Sequence, residues 1–214
     1  MVSYLVVSER MGAMNRAHKR EGINKIDDIL RVSCDTDTVV YGDRVFRRYD
    51  SGRKILGFIE DGADVGGLAT LGKNSVLCRG TRIGSRVNVG SRAIVMAMSE
   101  LGNSVRIMDG ALVRDGVCIG DRTEIGFGAR VGSNSVIGKG VSIGTYSLIG
   151  SNVYVGDGTR IGYGVQTTDN VYIGRNVEIG ESSLILSYGA VIDDGEMVPE
   201  RSSIYGRAGK MLRR

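Results

Sequence analysis

The 214-residue chain has one histidine, one proline and no tryptophan. A single histidine, His18, excludes an intrachain metal site built on several imidazoles and any relay that needs two of them. Cysteine is nearly as scarce. Cys34, Cys78 and Cys118 form an odd set without metal-ligand spacing and read as reduced thiols in an intracellular setting. No apolar run approaches membrane length, and Met1–Val7 is too short for a signal-peptide core. The expected location is therefore cytoplasmic, or a virion assembled there. Neither sign of charge dominates, with a formal net charge of +4, and no Lys/Arg run is interleaved with aromatics. That argues against nucleic acid as a partner and for an ordinary solvated surface.

Glycine is abundant instead, at 33 residues, without the three-residue period of collagen. Its placement follows a period of six. Stepping from Ile59 through Val65, Leu71, Leu77 and Ile83 to Ile185, Val191 and Met197, the positions hold Ile, Leu or Val throughout, except Thr167 and Met197. Four residues after each stands a small residue or a valine, from Ala63 and Ala69 to Ser183 and Gly189. The residue immediately after is most often glycine, as at Gly84, Gly120 and Gly144. Each hexad is then one short strand and one turn. The aliphatic residue points into a narrow core, the small one fits a corner, and glycine or asparagine relieves turn strain. Three hexads close a triangular coil, so 18 residues advance the stack by one strand spacing of about 4.8 Å. The phase is expected to run unbroken from Ile59 to Met197.

This pattern resembles the hexapeptide-repeat superfamily of acyltransferases and γ-class carbonic anhydrases. Ile107-Met-Asp-Gly-Ala-Leu-Val113 is similar to a coil of the anhydrase-like branch, and Met197–Arg213 resembles the exit from the helix in the same families. The resemblance implies an all-β fold, a left-handed parallel β-helix of about eight triangular coils, and packing as a homotrimer. The expected organisation is a small mixed α/β cap or docking arm at 1–58, the repeat helix at 59–202, and a basic C-terminal tail at 203–214. Within the cap, Met1–Val7 reads as a strand. Ser8–Lys19 and Ile23–Arg31 have helical composition, and 37–41 with 44–49 read as a hairpin across Gly42-Asp43.

Sorting the outward residues by their place in the coil separates three sides. One carries Val76, Cys78, Ile94, Met96, Leu112, Leu148, Leu184 and Leu186, interrupted by Arg114, Arg130, Gln166 and Thr168. An apolar stripe of this length marks an interface, here the expected trimer contact. A second side shows Asn88, Arg106, Glu124, Ser142, Arg160 and Glu178 and belongs in water. The third is mixed, with Arg82 and Glu100 followed by Val136, Tyr154 and Tyr172.

The resemblance also sets chemical requirements. Acyltransferases of the superfamily place a histidine between subunits as general base, and the anhydrase branch needs three histidines for a metal. Neither set can be drawn from these repeats, so no catalytic, cofactor-binding or metal-binding residue and no cofactor is assigned. Such enzymes also interrupt the repeat with an active-site loop, and none is expected here. The function expected first is a non-catalytic trimeric scaffold, or a particle-decorating protein such as a capsid component. Arg44, Arg47, Arg48, Arg53 and Lys54 would form its docking arm towards a protein partner or larger assembly. The alternative is a coenzyme A-dependent acyltransferase using a non-histidine base. Its candidates are Asp109 and Asp115, with Arg207 and Lys210 near the coenzyme phosphates. An aspartate's ordinary pKa of about 4 makes it a weak base, and turn geometry explains Asp109, Asp115, Asp157 and Asp169 equally well.

Overall fold

A computed structural model describes residues 38–41, 44–50, 55–205 and 211–212. The segments read above as an N-terminal strand and two helices, together with His18, Cys34, Arg53, Lys54, Arg207 and Lys210, lie outside the described residues. What is described is all β, a parallel β-helix of about eight turns with three flat faces.

The hexad rule produces the architecture directly. Most coil strands are only two residues long, each an outward residue followed by a buried aliphatic one, such as Arg106–Ile107 and Glu124–Ile125. Each strand pairs in parallel with the strand 18 residues on, so Ile107 lies over Ile125 and Ile125 over Ile143. The buried aliphatics stack into one continuous core from Leu71 to Val198. Sheet A has 12 strands, and sheets B and C have eight each. Sheet A contains Val76–Leu77, Leu112–Val113 and Leu184–Ile185; sheet B contains Glu100–Leu101 and Tyr154–Val155; sheet C contains Arg106–Ile107 and Arg160–Ile161.

The small corner residues do more than fit. Ser99, Thr123, Ser135, Ser147 and Thr159 are fully buried. Each hydroxyl donates to a carbonyl of the next coil, as Ser147 Oγ does to Gly162 O at 2.8 Å. Each also accepts an N–H from that coil, as from Val165 N at 3.2 Å. A buried hydroxyl is thereby satisfied in both roles, and coils are tied together at the corners as well as along the strands. The turn residue two before each strand has positive φ, at Gly110, Gly128 and Asn134, but also at Arg122, Tyr146 and Met98. A Cβ at Gly132 would collide with the backbone of Gly150 in the next coil, so close stacking requires glycine there.

One expectation needs correction. The phase slips by one residue between Ile185 and Ile192. Tyr172 pairs with Val191, 19 residues on, and the buried positions become Ile192 and Val198. Val191 is only half-buried, and Met197 is 67% exposed. The extra residue sits in the 186–190 turn, where Gly189 takes the positive-φ position and Ala190 the buried corner. Tyr188 projects from it, 76% exposed.

Sheet A is also extended at both ends. The strands β1 (Thr38–Tyr41) and β2 (Arg44–Asp50) form the expected hairpin, with Tyr41 opposite Arg44. β2 pairs antiparallel with β3 (Ile55–Glu60), which begins the parallel ladder by pairing with the 75–77 strand. At the far end Ser203–Ile204 continues the ladder, and Met211–Leu212 turns back antiparallel on it. These short flanking strands cover edges that would otherwise be free to pair with other chains.

Candidate functional site

The face expected to be sticky is sheet A, and it has two parts. At its N-terminal end, hairpin register brings Phe46 opposite Glu60 on the outward side. Phe46, Val76 and Cys78 are buried there as one cluster, with Phe58, Ile94 and Ala97 packed against it. Val76 and Cys78 are therefore covered within the chain itself. Ile94, Met96, Leu112 and Leu184 are half-buried. Leu148 and Leu186 are open to solvent, at 39% and 41% exposure.

Inside the covered part lies a polar centre that the sequence reading missed. Glu60 is 2% exposed and receives Arg44 in a forked contact, Nε to Oε1 at 2.8 Å and an Nη to Oε2 at 2.5 Å. The Arg79 N–H donates to Oε2 at 2.8 Å. Burial pushes the Glu60 carboxyl up, but the Arg44 and Arg79 donors outweigh it and hold the group below its ordinary value. Burial likewise pushes the Cys78 thiol up. The signal was an acidic residue in an apolar column, beside Phe58 and Cys78; its partner becomes visible only once hairpin register is known.

The other docking-arm residues are dispersed. Arg44 is committed to Glu60 and lies over the Phe46 ring, 5.1 Å from its centroid. Arg47 is exposed and pairs with Asp61 at 2.9 Å. Arg48 is half-buried.

The carboxylates considered as bases divide cleanly. Asp109, Asp157 and Asp169 each accept the backbone N–H of a turn one coil back, those of Ser91, Lys139 and Ser151, at 2.7–2.8 Å. Asp121 does the same for Asn103, and that N–H lowers its pKa. These four are capping groups of the turns. Asp115 is exposed at the corner between sheets A and B and has no such role among the described residues. Among the described residues no three His, Cys, Asp or Glu side chains gather into a possible metal site.

Sheet B bears a ladder on its outward column. Arg82 pairs with Glu100 at 2.7 Å; then follow Cys118, Val136, Tyr154 and Tyr172. The two tyrosine rings stack, with centroids 4.9 Å apart and planes 5° from parallel. A further aromatic group lies on the corner between sheets C and A, where exposed Tyr146 and Tyr163 meet edge to face at 6.1 Å.

With this geometry in place, the family comparison is direct. The model for the bacterial transferase hexapeptide (six repeats) matches at residues 98–133, 122–157 and 134–168. The central coils, residues 98–168, carry hexapeptide repeats of this kind. No curated protein matches the sequence. Among solved structures, the chain is similar to a hexapeptide transferase family protein from Anaplasma phagocytophilum, at 23% identity over 73% of this chain and 78% of that one, with a TM-score of 0.42. It is similar to a UDP-N-acetylglucosamine acyltransferase from Campylobacter jejuni, at 19% identity over 73% and 72%, with a TM-score of 0.36. It is also similar to that of Arabidopsis, at 17% over 73% and 72%, with a TM-score of 0.38. The hexapeptide windows fall on the most regular coils, and they span the only point where the aliphatic position is polar. There, Thr167 Oγ1 accepts the Gly150 N–H at 3.0 Å, a role carbonyls fill in the flanking coils.

Proposed function

We propose that the chain is the subunit of a homotrimeric, coenzyme A-dependent acyltransferase whose general base is not a histidine. The observation that carries this reading is the match of the central coils to a transferase repeat family, in three overlapping windows. The acceptor's amine or hydroxyl attacks the thioester carbonyl, the carbon–sulfur bond breaks, and the acceptor proton must reach the departing thiolate. Asp115 is the exposed carboxylate left for that transfer, because Asp109, Asp157 and Asp169 are spent on turn N–H groups. Its place at the corner between sheets A and B would put it beside a cleft between packed prisms.

A second reading, a scaffold with no chemistry, is favoured by a specific observation. No histidine occurs from residue 19 to the end, and the phase slip adds one residue where an active-site loop would add many.

Thermal unfolding with millimolar acetyl- and succinyl-coenzyme A separates the two. Ligand at 100 times its Kd stabilises the native state by about 2.7 kcal/mol, a readily measured rise in Tm. A saturable rise is expected, with Asp115→Asn retaining the rise and losing acyl transfer. No rise with either thioester overturns the transferase reading and leaves the scaffold.

A further inference from the structure

The one-residue slip does more than shift the phase. Past the first coil, the positive-φ residue of each turn donates its N–H to the turn one coil back, as Asn152 does to Ser133 at 2.8 Å and Asn170 to Ser151 at 2.9 Å. Gly189 is the exception. Its N–H, and the Asp169 carbonyl that this pattern assigns to it, have no partner among the described residues. The cause is the extra residue, Ser187. Other turns close on the residue right after the buried aliphatic, as Ala93 N–H does on Gly90 O at 3.3 Å. This one closes a residue later, Ala190 N–H on Ser187 O at 3.1 Å, and the corner opens between the two coils.

Beside the opening lies an aromatic shelf. Tyr172 follows Asp169 by three residues, so the two stand within about 10 Å of each other. Its ring stacks on Tyr154 in the coil below, which holds it in place. Above it in the column stands Val191, whose side chain is too short to cover the ring, and Tyr172 stays 43% exposed. Tyr188 rises from the late turn itself, 76% exposed. The other side chains of this corner, Thr168, Asn170 and Ser187, are neutral, and the Asp169 carboxylate repels anions.

Insertions in a repeat protein gather on the face that binds. A group that fills this opening must donate to a carbonyl and accept from an N–H at one place. It must carry no negative charge and offer an apolar face to Tyr172. A hydroxyl meets the first demand, and a sugar ring, with hydroxyls on its rim and C–H bonds on its face, meets all of them. We infer that this corner binds a neutral saccharide, with one hydroxyl bridging Asp169 O and Gly189 N while the sugar ring lies on Tyr172. The site is three coils, roughly 14 Å, along the prism from Asp115. It stands whether or not the chain transfers acyl groups.

Saturation-transfer NMR of the full chain with millimolar maltotriose, cellotriose and N-acetylchitotriose tests the site. At least one sugar should give a signal. Deleting Ser187 leaves Ile185-Leu186-Tyr188-Gly189-Ala190, the pattern of Ile161-Gly162-Tyr163-Gly164-Val165. Gly189 can then donate to Asp169 as Gly164 does to Thr145. The deletion should abolish the signal while the far-ultraviolet circular dichroism is unchanged. Tyr172→Ala should raise the Kd of the bound sugar about tenfold, and Tyr163→Ala, on another corner, should leave it as it was. Silence from all three sugars means that water alone fills the opening, and overturns the site. A signal unchanged by Tyr172→Ala or by the deletion overturns it too. If the deletion does not fold, Tyr172→Ala decides alone.

Discussion

Sheets A and C are built from the same hexad and differ in almost everything added to it. Sheet C is a plain ladder, with Arg106 bonded to Glu124 on its wet face and Ile107, Ile125 and Ile143 stacked behind. Sheet A is lengthened by antiparallel strands at both ends, holds a buried ion pair at one end, and contains the polar core position Thr167. Repetition alone builds sheet C, and most of the departures from it collect at the two ends of sheet A.

The comparison breaks most sharply at Glu60. Glu60→Ala leaves the Arg79 N–H and a half-buried guanidinium without their acceptor, and should cost about 3 kcal/mol by denaturant unfolding. Arg106→Ala on sheet C should cost less than about 0.5 kcal/mol, as exposed pairs do. Because the folded state holds the Glu60 carboxyl below its unfolded value, its contribution is present above about pH 4.5 and is lost as pH falls through the folded value. Melting wild type and Glu60→Gln from pH 7 down to pH 3 should therefore show the gap closing towards acid. A gap that is constant with pH would mean that the ion pair is not what stabilises this end.

Smaller effects sharpen the contrast. Thr167→Val removes the acceptor of the Gly150 N–H and should cost about 1 kcal/mol, despite restoring the aliphatic rule. A stabilised variant would show that the backbone carbonyl readily resumes the bond. Arg122→Gly, at a positive-φ corner of the regular part, should raise stability by up to about 1 kcal/mol by relieving strain. An unchanged midpoint would mean that the Arg122 side chain contributes as much as the strain removes.

Most of the prism was legible because the period of six forces one register, in which Ile107, Ile125 and Ile143 must stack. The slip was not, and the reason is local. Val191-Ile192 and Met197-Val198 are adjacent apolar pairs, so either register presents an aliphatic to the core. The signals that distinguish them are weaker: Gly189 stands seven residues after Ser182 at the next positive-φ turn, and Asp194 caps Arg175 from 19 residues on instead of 18. The covering of Val76 and Cys78 was hidden for another reason. It depends on the offset of the hairpin against β3, which no periodicity encodes.

The doubly bonded corner hydroxyls have a mechanical consequence. Each coil is held to the next by the same few short strands and one or two buried Ser or Thr links, and among the described residues no element reaches across two coils. Stretched from its ends, such a prism should peel one turn at a time, giving an evenly spaced sawtooth of extension in which each tooth releases about 18 residues, roughly 60 Å of extended chain. The first tooth to lag should be the one guarded by Glu60 and Arg44.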